Sequence, residues 1–298
     1  MLSVFVAFAV ATCSPSPLDS GDLRSQTATD TILSIATPDR RNEPPGFEPI
    51  AEHDFSCTPG AGCAEVGVWR VFRNPENLSL DEDRTAVMSP NGIARIKFPA
   101  GFEDGGAPTR FDGWGPSMLP PEEVAHDQVY VSVFFKVDGS GFQNQSVGTK
   151  VFYMAYGSTI RSNHSAMFLD GSGPAKIMEE MTPSYYIYEM RDDGSDAGGG
   201  AIHRAPNVIP RRVRVGEWIH VEALFKINDI GPTRDNGVFQ MWINGIQTHD
   251  LRDIRWRSDV NPLGFYHFQF TPVWGGNAGE IRTRNDSWSV DHVYISAR

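Results

Sequence analysis

The chain has 298 residues, 40% hydrophobic and 11% aromatic, enough apolar material for a sizeable core and too much for a disordered protein. Acidic residues outnumber basic ones 37 to 26, and the formal net charge of −11 argues against nucleic acid as the main partner. These numbers fit one folded domain of a soluble, extracellular protein.

From the N-terminus, Leu2 to Ala11 form an apolar run too short to span a bilayer and of the length of a signal-peptide core. Two cleavage readings compete. Ala9-Val10-Ala11 is a small-x-small site for ordinary secretion, whereas Val10-Ala11-Thr12-Cys13 resembles a bacterial lipoprotein box that would place a lipid on Cys13. The other two cysteines, Cys57 and Cys63, flank a Pro/Gly turn in "CTPGAGC" that would close a small disulfide loop in an oxidising compartment. Pairing them leaves Cys13 odd, and a lipid anchor accounts for it. The stretch to Pro49, with "RRNEPPGFEP", has no sustained periodicity and reads as a tether. The expected organisation is therefore a leader and tether over 1–49 and one folded domain over 50–298.

In that domain, β-branched and aromatic runs alternate with Gly, Pro, Asn and Asp clusters. They include "VGVWRVFR", "GIARIKF", "VYVSVFFKV", "KVFYMAY", "YYIYEM", "EWIHVEALFKI", "VFQMWI" and "WSVDHVYI". Only "AKIMEEM" (175–181) has a helical look. Asn244-Gly245 supplies the two positive-φ residues of a tight hairpin turn. In "EWIHVEALFKI", Ile219, Val221, Ala223, Phe225 and Ile227 face a core, and Trp218, His220, Glu222, Leu224 and Lys226 face outward. In "GFYHFQF", strict alternation groups Phe265, His267 and Gln269 against Tyr266, Phe268 and Phe270. Many antiparallel strands with one outward face each predict an all-β, two-sheet antiparallel sandwich, most simply a jelly roll.

The C-terminal order "VGEWIHVEALFKIN", "DNGVFQMWINGIQTHDLRDIRWR", "GFYHFQFTPVWGG" and "DSWSVDHVYIS", with "VYVSVFFKVDG" and "SVGTKVFYM" upstream, resembles the concanavalin A-like jelly rolls of the polysaccharide lyase type, notably alginate and glucuronan lyases of families 14 and 20. The resemblance covers roughly residues 90–296 and implies a glycan on the concave sheet, cleaved by β-elimination. A lyase neutralises the uronate carboxylate, removes the C5 proton and protonates the leaving oxygen. The family 14 pattern of a Lys, then Ser-x-Arg, then Tyr-x-Tyr on successive strands is matched here by Lys150 and by Tyr186 and Tyr188. In place of the middle pair, "RSNHSAMFLDG" offers Arg161, Asn163 and His164, and Ser165 is followed by Met167.

The implied catalytic set is thus His267, Tyr186, Tyr188 and Lys150, with Gln269, Arg161, His164 and Asn163 against the substrate. His267 and Gln269, about 7 Å apart along one side of a strand, make a base and carboxylate-binding pair. Arg255 and Arg257 stand on one side of "LRDIRWR" as a guanidinium row for a polyanion or a charged sheet edge. His220 and Glu222 are further outward-facing candidates. No metal-ligand spacing and no cofactor motif stands out. The Glu-x-Asp-x-x-Glu strand of glucan hydrolases on this scaffold is missing. The reading is a secreted or lipid-anchored lyase acting on an extracellular anionic polysaccharide. The alternative is a non-catalytic carbohydrate-binding or adhesion module on the same lectin-like scaffold, and oligomeric state stays open.

Overall fold

Alternating apolar and polar positions need two surfaces to sit between, and the chain supplies them as two stacked sheets. The computed structural model describes residues 42–55, 70–115, 121–157, 163–171, 175–190, 202–231, 235–276 and 279–298. By contact density the chain divides into Met1–Ser34, outside the described residues, and Ile35–Arg298, which holds everything below. Cys13, Cys57, Cys63 and Arg161 also lie outside the described residues.

The strands in chain order are β1 (Glu48–His53), β2 (Arg70–Arg73), β3 (Leu78–Asp81), β4 (Ile93–Phe98), β5 (Arg110–Trp114), β6 (Gln128–Val137), β7 (Phe142–Asn144), β8 (Thr149–Gly157) and β9 (His164–Asp170). They continue as β10 (Lys176–Met178), β11 (Glu180–Ile187), β12 (Ile202–Arg204), β13 (Val213–Arg214), β14 (Trp218–Lys226), β15 (Gly237–Ile243), β16 (Ile246–Ile254), β17 (Leu263–Phe270) and β18 (Asp286–Ala297). The first sheet runs β16-β15-β14-β6-β18-β4-β3, with β1 also on β18. The second runs β12-β11-β9-β8-β17-β5-β2, with β13 on β11. Neighbours are antiparallel, as in a jelly roll. The segment expected to look helical, 175–181, is instead β10 and the start of β11, because cross-strand pairing to β7 and β13 outweighs local propensity.

The core lies between the sheets. Ile219, Val221, Ala223 and Phe225 of β14 enter it as the alternation requires, meeting Tyr185 and Phe265 from the second sheet. Trp256, Trp274 and Trp288 are fully buried, and each such side chain contributes roughly 2–3 kcal/mol of burial. Asn244 (φ 51°) and Gly245 (φ 75°) turn the chain between β15 and β16, a conformation that favours glycine at the second position.

Strand β17 departs from strict alternation. Its register against β8 shifts between Phe265 and His267, a bulge that lets Phe265 enter the core beside Trp256 and Tyr156 while Phe268 and Phe270 also face inward. Phe265 therefore sits on the face expected for Tyr266, opposite to His267 and Gln269. A second bulge in β8, between Lys150 and Phe152, turns both Val151 and Phe152 inward and leaves Lys150 and Tyr153 on the outer face.

The described residues include a short arm, 42–47, before the expected boundary at residue 50. Asn42 donates to Glu222 and Tyr294 donates to Glu43 at 2.8 Å, which lays this arm on the outward face of the first sheet. His220 and Glu222 face outward there but are buried beneath it.

Candidate active site

Directly paired residues on neighbouring strands point to the same side of a sheet, so the register defines the outer face of the second sheet. One row reads Asp112 (β5), Gln269 (β17), Tyr153 (β8), Ala166 (β9) and Tyr186 (β11). The row beside it reads His267, Ala155 and His164, and continues to Tyr188, whose N–H donates to the His164 carbonyl. Lys150, Phe168 and Ser184 form a third. Lys150, His164, Tyr186, Tyr188, His267 and Gln269 thus share one face.

The middle of the face is an aromatic cluster. His164 lies 5.2 Å from the Tyr153 ring, 4.9 Å from Tyr188 and 6.2 Å from Tyr186, centroid to centroid. Tyr186 and Tyr188 meet edge to face at 5.7 Å. Burial pushes the Tyr153 and Tyr186 hydroxyls well above the ordinary phenol range. The Tyr153 and Tyr186 hydroxyls share a hydrogen bond, so the two phenols are coupled.

Towards β5 the face becomes charged. The Gln269 amide donates to His267 Nδ1 at 2.8 Å, so the ring proton sits on Nε2, 2.9 Å from Asp112 Oδ2. That contact is close but not aligned as a hydrogen bond. Arg110 Nε reaches the other Asp112 oxygen at 3.2 Å. Towards the third row, Lys150 Nζ donates to the Gly275 carbonyl, and burial pulls its pKa below the usual lysine value.

Other expected residues stand elsewhere. Asn163 is buried, with its amide on the Met190 sulfur. Arg255 pairs with Asp235, and Arg257 with Asp127 at 2.9 Å, on either side of the core residue Trp256. His220 and Glu222 belong to the first sheet, so they do not meet this face. His267 and the two tyrosines are three strand spacings apart, about 14 Å between backbones. Tyr153 and His164 occupy the interval. Tyr153 and Asp112 had no mark in the sequence: "KVFYMAY" reads as one strand-forming run among several, and only the bulge and the register place the two side chains on this face.

No protein-family model and no curated protein matches the chain. Solved structures do. A double mutant of the alginate lyase Aly36B in complex with alginate trisaccharide is 12% identical, with TM-score 0.53 over 84% of this chain and 98% of that one. The marine family 14 alginate lyase of Aplysia kurodai is 14% identical, with TM-score 0.54 over 76% and 90%. The alginate lyase vAL-1 from Chlorella virus is 12% identical, with TM-score 0.51 over 77% and 93%. At these identities the likeness establishes the fold alone, a jelly-roll sandwich.

Proposed function

We propose that the protein is an exported lyase that cleaves a uronate-containing polysaccharide by β-elimination. The observation that carries this reading is the cluster of His164 among Tyr153, Tyr186 and Tyr188, with Lys150 on the same face. The Lys150 ammonium, partly desolvated, gains from a carboxylate beside it, and that pairing acidifies the C5 proton. His164 takes the proton, the C4–O bond breaks as the C4=C5 bond forms, and Tyr153 protonates the departing oxygen. Tyr186 supports Tyr153 by donating to the oxygen left behind. His267 has Nδ1 engaged by Gln269 and Nε2 against Asp112, which suits holding a neighbouring sugar better than taking the C5 proton.

A non-catalytic glycan-binding module is favoured by one observation: β9 carries no arginine, and Met167, two residues after Ser165, is core. Incubation with alginate, glucuronan, ulvan and pectin separates the two, because the unsaturated product of elimination absorbs in the ultraviolet. Absorbance growing with one of them supports the lyase. Retention on a glycan array with no absorbance change on any polymer supports the binding module.

No helix among the described residues is long and apolar enough to cross a membrane. Export, lipidation of Cys13 and the Cys57–Cys63 disulfide belong to the same proposal, and intact mass of the mature protein tests them. A chain beginning at Thr12 with three free thiols would reject the latter two.

A further inference from the structure

The outward face of the first sheet holds a second constellation that elimination does not use. Glu222 on β14 pairs directly with Ser132 on β6, and His220 stands two residues before Glu222 on the same side. Ser132 Oγ lies 2.7 Å from His220 Nε2. His220 Nδ1 lies 3.8 Å from Glu222 Oε2. A hydroxyl on one imidazole nitrogen and a carboxylate towards the other is the order of nucleophile, base and orienting acid in serine hydrolases. The carboxylate leg is longer than a hydrogen bond, as such contacts often are before substrate arrives.

Each member is fixed from behind. The His220 ring stacks on Phe134 at 4.2 Å and 1° from parallel. Its backbone N–H donates to Asn244 Oδ1 at 2.8 Å, tying the strand to the Asn244-Gly245 turn. Glu222 accepts from the Tyr130 hydroxyl at 2.6 Å, from the Asn42 backbone at 3.2 Å and from the Asn42 amide at 2.9 Å. Ser132 is 4% exposed and His220 8%. The arm at Asn42 covers the group on one side, and the Ala86–Met88 loop packs on Phe134 at the other.

The geometry points to Ser132 as a nucleophile for short acyl esters, with His220 as its base and Glu222 as the positioning carboxylate. Ser132 Oγ attacks the ester carbonyl while its proton passes to His220 Nε2. The C–O bond breaks, the alcohol leaves with that proton, and water then releases the carboxylic acid from Ser132. The hold of Asn42 on Glu222 makes the arm a gate. This site does not depend on the lyase reading.

The test is covalent labelling of the full chain with a small fluorophosphonate, read by intact mass and peptide mapping, alongside p-nitrophenyl acetate turnover. The expected adduct is on Ser132, absent from Ser132→Ala, slowed about a hundredfold in His220→Gln and accelerated in Asn42→Ala. Ser132→Ala should remain folded by circular dichroism and keep any product formation on polyuronates. No adduct in either the wild-type chain or Asn42→Ala, labelling of another serine, or undiminished labelling of Ser132→Ala overturns the proposal.

Discussion

His267 on β17 and Asp112 on β5 meet with Nε2 2.9 Å from Oδ2, both side chains nearly buried on the face that carries the candidate active site. Gln269 fixes the tautomer from the other side of the ring. Gly115 makes room for it, since a Cβ there would stand 2.3 Å from His267 Cδ2.

Two substitutions test this dyad. Asp112→Asn removes the charge that faces Nε2 and should cost about 1–3 kcal/mol of stability in denaturant unfolding, together with a loss of turnover. Gly115→Ala forces the ring aside and should lower activity roughly tenfold to a hundredfold, because small misplacements at a site are costly. A fully active Gly115→Ala would remove His267 from substrate positioning.

The phenol pair separates chemistry from folding. Tyr153→Phe should abolish product absorbance, and Tyr186→Phe should reduce it less, since Tyr186 acts through Tyr153. Each removes one hydroxyl, so the change in stability should stay near 1 kcal/mol. Equal and mild effects on rate would contradict the assignment of Tyr153 as the acid.

The bulge in β17 makes a contrast between adjacent residues. Phe265 packs against Phe225, Trp256 and Tyr156. Its replacement by alanine should cost about 3–5 kcal/mol. Tyr266 is buried but outside the core clusters, with its hydroxyl pushed up to about 12 by burial. Tyr266→Ala should cost less than Phe265→Ala in thermal unfolding. The reverse ranking would mean that strict alternation holds after all.

Acid should weaken the fold through two histidines. Burial lowers the pKa values of His53 and His249 from 6.5 to about 4. Both are held neutral, with Nε2 of His53 on the Gly113 carbonyl and Nε2 of His249 on that of Arg204. A base with a depressed folded pKa gives full stability above its unfolded value and loses it as pH falls towards the folded one. The loss should therefore develop between about pH 6.5 and about pH 4, on the order of 3 kcal/mol for each histidine. Urea unfolding across that range measures it, and His249→Gln should flatten the profile.

The sequence reading succeeded where one residue's neighbours decide its place. Asn244-Gly245 turns as expected, and the alternation in "EWIHVEALFKI" assigns the two faces of β14 correctly, although Trp218 on the outward face is buried in a second apolar cluster. It failed where an inserted residue shifts the phase. Bulges at Lys150/Phe152 and Phe265/His267 are set by partner strands, so period-two counting inverted Phe265 and Tyr266 and hid Tyr153. Asp112 was invisible for a related reason, since only the β5–β17 pairing brings it to His267. Burial of His220 and Glu222 depends on Asn42, a residue far away in the chain that composition assigned to a tether.

The placement of that arm also governs how the molecule meets a polymer. Asn42 lies on the outward side of the first sheet, whereas Tyr153, His164 and Lys150 look out from the second. A polymer lying on the candidate site would therefore leave the arm, and the Ser132 group beneath it, uncovered.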